Sequence, residues 1–199
     1  MKKITIFLIL ISFSLKINFL FAYSTDPKIF VEELVNDAIS KLSDKTISDE
    51  EKSSYVEIIA LENVDINALG LYTLGEIRKT TNKEKLKEYQ IVFEKYFLKS
   101  LTSRLTDYSS NKFEILNSEI KSASYTIVNS RIVENANQPE IKIDWRIYTK
   151  NPDKPLIRDL IVEGLSLART QKEEFASILS SNNNDINILI SKLKEFLNK

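Results

Sequence analysis

Asp159 and Glu163 are the residues of this 199-residue chain whose type and spacing come nearest to a reactive pair. On an extended segment they share one face, because strand side chains alternate with period two. Carboxylates placed side by side can divide general acid and general base work. The rest of the chain offers them no assistance. Histidine is absent, which removes the side chain that titrates nearest neutrality and the commonest metal ligand. Cysteine is absent too, so thiolate catalysis, disulfides and thiolate zinc sites are excluded. No glycine-rich phosphate loop is present. The two carboxylates are therefore read as hydrogen-bonding members of a sheet. Catalysis by paired carboxylates or lysine stays open, though nothing in the spacing points to it, and the chain is expected to be a non-enzyme without metal or other cofactor.

Charge narrows the partners. Lys and Arg together number 28, as do Asp and Glu. Residues 1–22 hold Lys2, Lys3 and Lys16 and no acid, so the remainder carries three more acids than bases. Such a surface is ill suited to nucleic acid, whose phosphates are neutralised by basic side chains. The first 22 residues read as a secretory signal peptide, with a basic start followed by the apolar run Ile4 to Leu15. Lys16 and Asn18 interrupt it too soon for a membrane span of about 20 apolar residues. Cleavage is expected after Ala22 or Ser24. With no cysteine to carry an acyl anchor, the exported product is expected to be soluble, with residues 23–199 as a single domain.

The elements that must position these residues are legible from period and caps. Thr25-Asp26-Pro27 caps a first helix with Phe30, Leu34, Val35, Ile39 and Leu42 on its apolar face. Ser48 to Glu51 is a capping box for a second helix, and Asp65 caps a third, Ile66 to Leu74, closed by Gly75. Thr81 to Glu84 is a further capping box for the longest helix. Its apolar stripe runs Tyr89, Phe93, Tyr96, Phe97, Leu101, Leu105 and Tyr108 at three- and four-residue steps.

The period then changes. Lys112 to Leu116 is expected as a short strand and Ser122 to Val133 as a longer one. In Glu140 to Tyr148 the residues Ile141, Ile143, Trp145 and Ile147 face one way, with Lys142, Asp144, Arg146 and Tyr148 opposite. A turn at Asn151 to Asp153 leads into a strand from Leu156 to Glu163, ended by Gly164. A capping box at Thr170 to Glu173 starts a helix, and Asp185 caps the last one. The expected fold is α+β: an antiparallel meander sheet packed against several helices.

Three stretches carry a family resemblance: Val64 to Gly75, Thr80 to Tyr108, and Arg158 to Leu167 followed by the helix with Phe175 to Leu179. Together they resemble the MlaC-type periplasmic phospholipid-binding proteins, also called the toluene-tolerance family, over essentially the whole mature chain. The resemblance implies a monomeric periplasmic carrier with phospholipid as cargo. Its implied partners are an inner-membrane ABC transporter bearing a ring of lipid-binding subunits and an outer-membrane lipoprotein complex, in a system that maintains lipid asymmetry.

Carrying a diacyl lipid through water requires apolar cover. Each exposed methylene costs about 0.8 kcal/mol, so roughly 30 of them cost about 25 kcal/mol. The expected pocket joins the sheet positions Ile143, Trp145, Ile147, Ile161, Val162 and Leu165 to the helical positions Leu69, Leu74, Phe93, Tyr96, Phe97, Leu101 and Phe175. In this arrangement the aromatic helix covers the apolar face of the sheet and parts from it to admit the tails. The pocket need not grip the phosphate, since a head group that stays in solvent requires no arginine cluster. Two alternatives stay open: a carrier of another apolar ligand, such as a hopanoid or an aromatic solvent, and a protein-interaction module whose core is filled by its own side chains.

Overall fold

A computed structural model describes residues 23–105, 112–134 and 139–198. The expected signal peptide, residues 1–22, and Tyr108 of the aromatic stripe lie outside the described residues, as does the side chain of Leu105. Among the described residues, no helix is long and apolar enough to cross a membrane.

Local chemistry starts most of the helices. Helix α1 (Pro27–Ser43) begins where the Asp26 carboxylate accepts the Lys28 and Ile29 amides, with proline at a position whose N–H has no partner in any helix. Helix α2 (Asp49–Asn63) starts in a complete capping box between Ser48 and Glu51. Helix α3 (Ile66–Thr73) starts where Asp65 accepts the Ala68 amide. It runs into a 3-10 turn, Gly75–Lys79, where Gly75 takes a φ of 60°, a left-handed conformation cheap only for glycine. Helix α4 (Lys83–Leu105) is capped by Asn82, one residue later than expected: its side chain accepts the Lys85 amide, while the Thr81 hydroxyl donates back to the Ile77 carbonyl.

The sheet is a five-stranded antiparallel meander in the order β1 to β5: Phe113–Ser122, Tyr125–Ile132, Ile141–Tyr148, Leu156–Val162 and Leu165–Ser166. β1 is twice as long as the expected strand, and Ser122 closes it rather than opening β2. Its outer half is polar because it is the sheet edge, where solvent faces both sides. The sequence predicts one strand here, ending at Gly164. In fact Glu163 and Gly164, with φ of 49° and 81°, make a tight hairpin turn that returns the chain as β5.

Two helices complete the chain, α5 (Leu167–Ser180) and α6 (Ile186–Leu197). The expected start of α5 at Thr170 is one turn late: Ser166 is the cap and accepts the Arg169 amide. Asp185 caps α6 as expected, and the break before it is made by Asn183 and Asn184, both with positive φ.

Packing divides into two apolar clusters. One face of the sheet (Val128, Trp145, Ile147 and Ile157) is covered by Phe30, Val31 and Leu34 of α1. Within it the Trp145 indole donates to Ser130, whose hydroxyl donates to the Ile143 carbonyl, so the buried polar atoms are paired. The second cluster is helical: Leu69 and Leu74, Tyr89, Val92 and Phe93 of α4, Phe175 of α5, and Leu189, Ile190 and Leu193 of α6. Val64 touches both clusters and is tied to β4 by a bridge to Ile157. The Tyr89 phenol is sealed in this core, sharing a 2.8 Å hydrogen bond with Thr73, and burial pushes its pKa well above the ordinary tyrosine value.

The expected cover of the sheet therefore differs from the observed one. α1, not the aromatic helix, lies over Trp145 and Ile147, and α4 packs on α2, α3 and α6. Both helices carry an apolar stripe, so either satisfies the pattern locally.

Gly70 sets the approach of α3 to α4, since a Cβ there would lie 2.9 Å from the Phe93 ring. Gly70→Ala is expected to destabilise the fold by about 1–3 kcal/mol through overpacking. Thermal unfolding checks this, and an unchanged midpoint would show that the two helices separate freely.

Candidate functional site

The face of the sheet opposite α1 forms the floor of a groove of about 880 Å³. Its floor is built from alternate residues of the central strands: Tyr125, Ile127 and Asn129 of β2, Asp144 and Arg146 of β3, and Ile161 of β4. Glu119 and Lys121 of β1 form one rim. The opposite wall is Ala68, Leu69 and Tyr72 of α3 with Ala168 of α5. The groove is amphipathic: its helical wall is apolar and its floor mixes Ile127 and Ile161 with charged and amide side chains.

A bulge in β4 aims the wall correctly. The β3–β4 register slips between Arg146 and Ile147, so that Arg158 and Asp159 occupy the space of one residue. Arg158 thereby joins the groove and ties the sheet to α3. Its guanidinium donates to Asp65 at 2.8 Å and to the Tyr125 hydroxyl at 2.8 Å, and lies 3.4 Å above the Tyr148 ring. Burial works against its charge, but the hydrogen bonds to Tyr125 and Asp65 more than offset this and hold its pKa above the ordinary arginine value. Asp65 thus serves twice, capping α3 and anchoring Arg158.

Asp159 is 3 % exposed and does for α5 what Asp65 does for α3. One oxygen accepts the Ser166 hydroxyl at 2.6 Å and the other the Ala168 amide at 3.0 Å. Glu163 accepts the Lys142 amide at the exposed hairpin. The two carboxylates are engaged in separate structural bonds and do not share a strand face as expected: β4 ends at Val162, so Glu163 lies in the turn, and Asp159 anchors the start of α5 rather than the sheet. Among the described residues, no three acidic side chains gather as a metal site.

Of the expected pocket residues, Leu69 and Ile161 line the groove. Leu74, Phe93 and Phe175 are buried in the helical cluster, with Tyr96, Phe97 and Leu101 at its margin. Trp145 and Ile147, with Ile143 beside them, belong to the cluster under α1. Val162 pairs with Leu165 across the β4–β5 hairpin, where Leu165 is 69 % exposed. Leu69 connects the two regions, since it is a groove residue on one side and a member of the aromatic cluster on the other. Sequence reasoning passed over Tyr125, Asn129, Asp144, Arg146 and Arg158. The alternation of β3 did place Asp144 and Arg146 together, but a polar strand face ordinarily meets solvent, and only the helices α3 and α5 make it a wall.

A family model described as MlaC protein matches residues 32–195 of the chain. No curated protein matches it. Among solved structures, the phospholipid-binding protein of Ralstonia solanacearum, determined in complex with a phospholipid, shares the fold. The TM-score is 0.70 at 18 % sequence identity, over 89 % of this chain and 99 % of that one.

Proposed function

Because the chain belongs to the MlaC protein family, we propose that it is a phospholipid carrier rather than an enzyme, holding lipid in the groove between its sheet and α3 with α5. The observation that carries this reading is the amphipathic groove itself, which sets an apolar wall of Ala68, Leu69, Tyr72 and Ala168 against a partly charged floor. An amphiphile needs both surfaces, because its tails gain by leaving water while its head group loses unless polar partners replace the water. The tails run along the helical wall. Where they need more room, they pass Leu69 towards Phe93 and Phe175 as α3 lifts from α4. The Ralstonia solanacearum protein, built on the same fold, holds a phospholipid.

The family resemblance supports the following setting. Residues 1–22 direct export to the periplasm and are removed. The monomeric product then shuttles lipid between an inner-membrane ABC transporter with its ring subunit and an outer-membrane lipoprotein complex.

The test is chemical. The full chain, expressed with its own leader and purified without detergent, is extracted with organic solvent and analysed by mass spectrometry. About one phospholipid per chain is expected, the capacity of a single groove. Ala168→Trp, which fills the groove from the α5 side, is expected to lower that content at least about tenfold while the protein stays folded, as for a blocked apolar site. A folded, persistently empty wild-type protein that takes up no lipid from vesicles overturns the reading. Recovery of a sterol-like lipid in place of phospholipid would assign the groove to another apolar cargo.

A further inference from the structure

Five charged side chains line the groove: Glu119, Lys121, Asp144, Arg146 and Arg158. Three of them are already committed. Arg158 is bonded to Asp65 and Tyr125 and stacked on Tyr148. Lys121 pairs with Glu119 at 2.6 Å on the rim. Asp144 and Arg146 are left, on the same face of β3 and two residues apart, a separation of about 7 Å along the strand.

These two are not bonded to each other. Asp144 accepts one hydrogen bond, 2.6 Å from the Asn129 amide, and a carboxylate has acceptor sites to spare. Arg146 is 44 % exposed and reaches only Asp159, at 3.5 Å. Both Asp159 oxygens are engaged more closely by Ser166 and Ala168, so the guanidinium keeps most of its five donors. A planar fork with free donors matches the oxygens of a phosphate. A carboxylate beside it matches an ammonium.

Resting on the carrier reading above, we infer that the groove floor takes a zwitterionic phospholipid head group, its phosphate on Arg146 and its primary ammonium on Asp144. The flexible side chains close the strand spacing to that of a phosphate and an ammonium joined by a two-carbon spacer. Ile127, directly across from Arg146, and Ile161, directly across from Asp144, then flank the glycerol. Selectivity comes from the unmatched charge. An anionic head group satisfies Arg146 but sets its net negative charge beside Asp144, and an uncharged apolar ligand leaves both side chains desolvated without partners.

The experiment uses the full-length exported protein, stripped of lipid and incubated with vesicles of equimolar phosphatidylethanolamine and phosphatidylglycerol. Bound lipid is then quantified by mass spectrometry. Wild type is expected to hold about fivefold more phosphatidylethanolamine, the scale of one partly exposed ion pair. Asp144→Asn keeps an acceptor for Asn129 and is expected to bring the ratio close to one without lowering total lipid. Arg146→Gln is expected to lower total phospholipid, with Arg146→Lys in between, because the charge survives without the fork. Thermal unfolding confirms that each variant is folded. Equal uptake of both lipids by wild type, an unchanged ratio in Asp144→Asn, or unchanged total uptake in Arg146→Gln overturns the inference and leaves the carrier reading standing. A wild-type protein that takes up neither lipid overturns both.

Discussion

Asp159→Ala is expected to lower the stability of the fold by about 3 kcal/mol, because it strands the Ser166 hydroxyl and the Ala168 amide and removes a helix anchor. For a domain of this size that is a fall of about 6–12 °C in the melting temperature. The effect is large for a single polar residue because Asp159 is buried and uses both oxygens. Its position explains why. The β4 bulge turns Asp159 towards α5, and the hairpin Val162 to Leu165 brings the start of that helix back over it. Asp159→Asn retains one acceptor oxygen and is expected to lose about half as much. Both variants are also expected to release lipid, since Ala168 is part of the groove wall and is held in place through its own amide. A melting temperature within a degree of wild type in Asp159→Ala would show that α5 is seated by its apolar contacts alone.

Phe93→Ala should have an effect at least as large, and its dependence on lipid is informative. The Phe93 ring meets Tyr89, Tyr96, Phe97 and Phe175 at centroid distances of 5.7–6.3 Å and also abuts Gly70. Truncating such a residue costs about 3–5 kcal/mol through lost burial and a residual cavity. In lipid-free protein the melting temperature should fall by about 6–20 °C. If tails pass Leu69 into this cluster, as proposed, they occupy part of the cavity, and the penalty should shrink when the protein is saturated with phospholipid. Equal penalties with and without lipid would make the aromatic cluster ordinary core and confine the lipid to the groove. The comparison addresses a question that the helical stripe leaves open, because packing and ligand lining demand the same residues at the same spacing.

What could be read in advance was local. Asp26, Ser48 with Glu51, Asp65 and Asp185 mark their helix starts because a cap is a bond between residues two or three apart. The alternation of β3 is equally local, and Trp145 and Ile147 are buried on the face it assigns. The errors fall where a choice depends on something distant. The capping box read at Thr170 is a valid pattern, yet α5 starts a turn earlier, where Ser166 caps it and where Asp159, across the hairpin, binds its first turn. The polar outer half of β1 lacks an apolar face because it is an edge, and nothing in its own residues says where the sheet ends.

The two carboxylates with which the sequence begins to suggest chemistry show the same division. Composition by itself determined that Asp159 and Glu163 have no histidine or cysteine to work with, and therefore that the chain is not built for histidine- or thiolate-dependent catalysis. Period and caps determined that it is an α+β chain with a meander sheet. Only the tertiary structure decided that α1 covers the apolar face of the sheet, because the stripes of α1 and α4 are equivalent until they compete for one surface. That choice leaves the opposite face to α3 and α5. It turns Asp144, Arg146 and Arg158 from apparent surface residues into the floor and wall of a groove. Side-chain type and alternation are written along the chain, whereas a cavity is a relation among four strands and two helices and exists only once they meet.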